Sequence, residues 1–197
     1  MLLRIGAAIV ALVALVSLAA QWVVSAGLMT EAGPAAVLWR MLGYFTVLGN
    51  LATLVLLARA AITARISAQA ATAITVVMVV VGLGYHILLA RLWAHQGLAW
   101  WADQGLHTAV PVLVVLWWAA FAPKAGLDGR DAVVWLIWPI GYAAYALLRG
   151  LVSGFYPYPF MDAPLLGIYQ TLVNIAALGL CFAAVALLLI GVARVMR

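Results

Sequence analysis

Acidic side chains and thiols are nearly missing from this chain: its 197 residues hold five Asp and Glu and a single cysteine. One cysteine cannot make a disulfide or a zinc site within the chain, so Cys181 leaves the redox compartment open. Charge of either sign is also scarce. Only 8% of residues are charged while 69% are hydrophobic, and mean hydropathy is +1.21. That is too little polar side chain to coat a soluble domain of this size, which excludes a soluble protein and points to an integral membrane protein.

What the chain has instead is long apolar runs. A helix needs about 20 apolar residues to cross the hydrocarbon. Six such runs stand between polar or Pro/Gly breaks, at Ile5–Leu28, Ala35–Leu57, Ala70–Trp93, Gly105–Phe121, Ala132–Leu151 and Leu165–Ala193. They are continuous in Leu, Val, Ala and Ile rather than alternating, which excludes a β-barrel. Arg4 ahead of the first run and Ala19-Ala20 late in it imitate a secretory signal, but the run is longer than a signal core and counts as span one. The expectation is an all-α integral membrane protein, one six-helix transmembrane domain over residues 1–197.

The scattered basic residues set the orientation. With both termini cytoplasmic, Arg4, Arg59, Arg65, Lys124, Arg130, Arg194 and Arg197 all fall on the inner side, and Glu31, Asp103 and Asp162 in outer connections. The formal +5 therefore reads as topology. Nucleic acid is excluded as a partner because the basic residues form no face. Arg40, Arg91 and Arg149 depart from this pattern, near the outer ends of spans two, three and five. Each can snorkel to the interface, yet three at one level, opposed by Asp103 and Asp162, suggest a charged cavity in the outer half with at least two arginines facing inward.

Two stretches put hydrogen-bonding groups inside apolar runs: Tyr44-Phe45-Thr46-Val47-Leu48-Gly49-Asn50 and Asp103-Gln104-Gly105-Leu106-His107-Thr108-Ala109-Val110-Pro111. At 1.5 Å per residue, Thr46 would lie about 9 Å below Arg40, His107 about 6 Å below Asp103, and His86 about 12 Å deep on span three. Thr46 and Asn50 are an i, i+4 pair on one face. A threonine in a membrane helix commonly bonds the carbonyl four residues back, a histidine is often only packed, and an asparagine ties helices together. A hydroxyl and an imidazole at one level are also a nucleophile and its base.

Further on, the two prolines of Tyr156-Pro157-Tyr158-Pro159-Phe160-Met161-Asp162 stop any helix, leaving either an interfacial loop or a lid. Trp100-Trp101 and Trp117-Trp118 read as anchors at opposite interfaces.

Taken together, Phe45-Thr46-x-x-x-Asn50, Tyr85-His86, His107 with Pro111, Trp118, and Arg149-Gly150 followed by Tyr156-Pro157-Tyr158-Pro159-Phe160-x-Asp162 resemble the bacterial branch of the androgen-induced membrane protein family. The resemblance implies six spans with cytosolic termini, a bacterial plasma-membrane location, and hydrolysis of fatty acid esters of hydroxy fatty acids by a threonine and a histidine. Carried over, the nucleophile is Thr46 and the histidine His107. The animal members surround the threonine differently, without the Gly49-Asn50 pair.

Asp103, one turn before His107, can orient the imidazole. Asn50 and His86 are candidate oxyanion donors, backbone amides being mostly used up by the helices. Arg40, Arg91 and Arg149 are candidates for holding a substrate carboxylate, with Tyr156 and Asp162 in support. No cofactor or metal is called for; His86 and His107 as haem ligands would differ in depth by about 6 Å. The competing class is a lipid-binding or transport protein in which the same polar layer is a binding cavity for a lipid or fatty acid.

Overall fold

The computed structural model describes residues 1–92 and 94–196. Trp93, the expected end of span three, and Arg197, one of the inner-side basic residues, lie outside the described residues. Among the described residues there is no strand, and six helices are long and apolar enough to cross a membrane: Leu2–Leu28, Phe45–Thr63, Ala68–Leu89, Gly97–Phe121, Gly129–Ser153 and Ile168–Val195. The chain is a multi-pass, all-α membrane protein. It divides into two compact units, one over Met1–Gly126 and one from Leu127 onward.

The first unit opens with α1 (Leu2–Leu28), whose buried residues include the small side chains Ala7, Ala11 and Ala14. Small side chains let membrane helices approach closely, which replaces the hydrophobic drive that lipid removes. A short helix α2 (Pro34–Met41) follows and stops at Leu42. After a break at Gly43-Tyr44 the chain restarts as α3 (Phe45–Thr63). The expected second span, Ala35–Leu57, is thus two helices, separated at Gly43-Tyr44 within what hydropathy alone reads as one run. Thr46 consequently sits in the first turn of α3 rather than deep along a helix shared with Arg40.

A serine cap starts α4 (Ala68–Gly84), with Ser67 Oγ accepting from the Ala70 amide at 3.1 Å. The helix widens into a π turn over Tyr85–Leu89. Span four consists of α5 (Gly97–Gln104), a second π turn over Gly105–Ala109, and α6 (Val110–Phe121). It therefore begins at Gly97, not Gly105, and Asp103 is buried inside a span instead of lying in an outer connection. His107 is about 15 Å from the span's start by helical rise.

The Trp117-Trp118 pair is a second correction. Both indoles are buried, Trp118 Nε1 donating to Thr72 Oγ1 at 2.9 Å and Trp117 Nε1 to the Leu3 carbonyl at 3.2 Å. They lock α6 to α4 and α1 rather than marking an interface. Trp100 and Trp101 are exposed. Beyond α6, Lys124 Nζ donates to the carbonyls of Trp118, Ala119 and Ala122 at 2.9–3.1 Å, capping the helix end. Burial holds its pKa below the ordinary lysine value.

The second unit starts with a capping box, Asp128 and Asp131 reaching back to each other's backbone, ahead of α7 (Gly129–Trp135). Then come α8 (Ile137–Ser153), a short α9 (Ala163–Leu166) and α10 (Ile168–Val195). Gly154 ends α8 in the left-handed conformation, φ 68°.

Candidate active site

Pro111 explains the local shape of span four. It has no N–H and its ring crowds the carbonyl four residues back, that of His107. The chain answers by widening one turn: Val110 N–H bonds the Gly105 carbonyl five residues back. The Leu106 carbonyl then has no donor in its own helix, since Val110 is spoken for and Pro111 has none to give. Asn50 Nδ2 fills the gap at 3.2 Å and also donates to the Thr46 carbonyl at 2.9 Å. Asn50 is fully buried, so this amide ties the start of α3 to the π turn.

Two glycines let neighbouring helices press on that turn. A Cβ on Gly82 would meet Pro111 Cβ at 3.3 Å and the His107 carbonyl at 3.4 Å, and one on Gly105 would come within 2.9 Å of Ser17 Cβ. With α4 this close, Tyr85 reaches over the imidazole. The rings of Tyr85 and His107 stack with centroids 4.3 Å apart and an 18° interplanar angle.

The π turn aims His107 at Thr46. Thr46 Oγ1 is 3.1 Å from His107 Nε2. On the other side of the ring, His107 Nδ1 lies 3.0 Å from Asp103 Oδ1 and 3.0 Å from the Asp103 carbonyl. A backbone carbonyl can only accept, so Nδ1 carries a proton; in the neutral ring Nε2 then faces the hydroxyl with its lone pair. Tyr85 donates its hydroxyl proton to Asp103 Oδ2, and Gln104 Nε2 approaches the same Tyr85 oxygen at 3.4 Å. Both carboxylate oxygens of Asp103 are thereby met. Other threonines of the chain behave differently: Thr53, Thr63, Thr75 and Thr171 each donate to the carbonyl four residues back. Thr46 has its hydroxyl against the His107 imidazole, as Thr108 has against that of His86.

Comparison with protein-family models, with curated proteins and with solved structures finds no match.

The remaining candidate residues make other contacts. His86 is exposed and does not reach Thr46 or His107; its Nε2 is 3.0 Å from Thr108 Oγ1, which donates to Gln104 Oε1 at 2.8 Å. Asn50 spends its donors on two carbonyls, so neither residue expected to hold an oxyanion is placed for it. Arg40 on α2 and Arg91 after the third span are exposed, and only Arg149 is buried, its Nη1 donating to Tyr145 OH at 3.0 Å within the second unit. The expected pairing of inward arginines with aspartates is not found: Asp103 is engaged by His107 and Tyr85, and Asp162 caps α9 by accepting from the Leu165 amide at 3.2 Å.

Tyr156 lies against Gly150 so closely that a Cβ there would overlap its ring. The segment around it is packed: Tyr158 and Met161 are buried and Asn174 Nδ2 holds the Phe160 carbonyl at 3.0 Å. Among the described residues, no group of three or more His, Cys, Asp and Glu is placed to hold a metal ion.

Tyr85, Gln104 and Thr108 were not among the residues singled out as site residues, although Tyr85 adjoins His86 and the other two flank His107. Their signal was positional. Each is a polar side chain within an apolar run and one helical turn of another polar group.

Proposed function

We propose that this chain is a membrane-embedded carboxylic ester hydrolase, with Thr46 as nucleophile, His107 as general base and Asp103 as the group that orients and stabilises the imidazole. One observation carries the reading: the continuous hydrogen-bond run from Thr46 Oγ1 through both nitrogens of His107 to Asp103, at 3.1 and 3.0 Å, inside apolar helices.

In the reaction, Thr46 Oγ1 attacks the ester carbonyl while His107 Nε2 takes its proton. His107 returns that proton to the departing alkoxide, which leaves as an alcohol, and an acyl-threonine remains. Water, deprotonated by the same nitrogen, then attacks the acyl carbon, and Thr46 regains its proton as the acid departs. The break before α3 supplies the electrostatic part. Thr46 lies at the positive end of a 19-residue helix, where the first-turn amide of Val47 has no acceptor within its own helix. That amide is our candidate donor to the oxygen that becomes negative.

A site enclosed by membrane helices favours an apolar acyl ester. The resemblance described above places fatty acid esters of hydroxy fatty acids first among those to try.

The purified protein in liposomes tests the proposal against such esters and nitrophenyl acyl esters. Hydrolysis should vanish in Thr46→Ala and His107→Ala, and the double variant should be no worse than either, because nucleophile and base act as one unit. If wild type cleaves no faster than Thr46→Ala, the hydroxyl is structural and the polar layer is a lipid-binding cavity.

A further inference from the structure

At the opposite end of α3 from Thr46, thirteen residues and about 20 Å of helical rise away, the first unit holds an open cavity of about 610 Å³. Its walls are of two kinds. Leu3, Leu56 and Phe121, from α1, α3 and α6, form an apolar side; Arg59, Arg65 and the Ser67 cap of α4 form a cationic one. Ala64, in the left-handed conformation at φ 58°, turns the chain out of α3, and Arg59 before the turn and Arg65 after it both line the cavity.

The basic residues at this end are not equivalent. Arg4 spends its Nε on the Ala61 carbonyl at 2.7 Å, and Lys124 spends its ammonium on three carbonyls. Among the described residues, nothing accepts from the guanidinium of Arg59 or of Arg65; the bonds they make run through their backbones. Two unspent guanidinium forks, with five donors each, face one volume and no carboxylate lies in its lining. A plain snorkelling arginine has water and headgroups around it and no shared cavity. Here the cationic residues share one cavity with apolar side chains contributed by three membrane helices.

We infer that this cavity is a binding site for an anionic phospholipid, its phosphodiester held between Arg59 and Arg65 and an acyl chain laid along Leu3, Leu56 and Phe121. Guanidinium groups match phosphate oxygens in a forked, two-bond geometry, and basic pockets between membrane helices at an interface hold acidic headgroups. The apolar wall selects a lipid over a free anion. The site is independent of the hydrolase reading, since none of its residues touches Thr46, His107 or Asp103.

Native mass spectrometry of the full-length protein in detergent tests this, with phosphatidylglycerol and phosphatidylcholine of matched chains as probes. Wild type should retain phosphatidylglycerol in preference to phosphatidylcholine, and R59Q/R65Q should lose that preference, weakening phosphatidylglycerol binding on the order of thirtyfold. The pair R130Q/R194Q, which removes the same charge from exposed positions in the second unit, should change it by less than about threefold, the effect of long-range charge alone. Inorganic phosphate at millimolar concentration should not displace the lipid.

The inference is overturned if wild type does not distinguish the two lipids, or if the control pair loses as much as R59Q/R65Q. Displacement by phosphate would mark a site for a free anion and overturn it too. Should R59Q/R65Q fail to fold, R65Q alone, in the connection after α3, decides: about fivefold weakening supports the site and no change removes it.

Discussion

Replacing Asp103 with asparagine separates the two tasks a carboxylate performs beside a catalytic histidine. One task is to hold the proton on Nδ1 so that Nε2 can accept; the other is to stabilise the imidazolium that forms during attack. Where the carboxylate alone fixes the tautomer, the exchange costs about 10⁴ in rate. Here the Asp103 backbone carbonyl also lies 3.0 Å from Nδ1 and survives the substitution. The tautomer should therefore persist, and only the charge is lost.

A hydrogen bond to a charged group contributes about 1.5–3 kcal/mol. At 1.36 kcal/mol per tenfold, Asp103→Asn should lower kcat by about 10- to 150-fold. Initial rates on a nitrophenyl acyl ester in liposomes, set against Thr46→Ala as the floor, measure it. A fall to that floor would mean the side chain sets the tautomer and the backbone bond does not hold in the working enzyme. No change at all would mean that Asp103 is not part of the machinery, and the hydrogen-bonded run would lose its third member.

Tyr85→Phe keeps the ring stacked on His107 but removes the donor to Asp103 Oδ2, so kcat should fall several-fold, by about 1 kcal/mol, with KM unchanged. A change in KM alone would assign Tyr85 to substrate binding instead. Asn50→Ala strips the donor from the Thr46 and Leu106 carbonyls and should lower thermal stability by about 1–2 kcal/mol in a detergent melt, where an unchanged melt would show that water replaces the amide. Gly150→Ala should destabilise by about 1–3 kcal/mol through overlap with Tyr156, and Tyr156→Ala in the same chain should recover part of it; additive losses would place the strain elsewhere. Thr46→Ser should keep measurable hydrolysis, since the hydroxyl remains; complete loss would show that the threonine methyl is needed to aim it.

Hydropathy sufficed for the helical class and the number of spans because continuous apolar runs of this length have few other solutions in a membrane. It could not place the ends of spans two and four. The break at Gly43-Tyr44 is short and lies in an apolar run, yet it divides Pro34–Met41 from Phe45–Thr63. Asp103 looks like an interface residue in sequence because a lone carboxylate does not belong in a span; Tyr85 and His107 pair with it, and those partners come from two π turns that no residue count foresees. The pairing of Thr46 with His107 was legible as two polar residues at comparable depth. Their direct contact depends on Pro111 and on the close approach allowed by Gly82, which are matters of local geometry. The arginines misled because spacing along the chain gives their level in the membrane but not the direction in which they point.

The most direct test of the account is covalent capture of the nucleophile. The purified protein is treated with a fluorophosphonate bearing an alkyl chain, and the adduct is located by peptide mass spectrometry. A single phosphonyl group on Thr46, absent in Thr46→Ala and strongly reduced in His107→Ala, is the predicted result. Labelling at another residue, or equal labelling of wild type and Thr46→Ala, would contradict the assignment of Thr46 as an activated nucleophile.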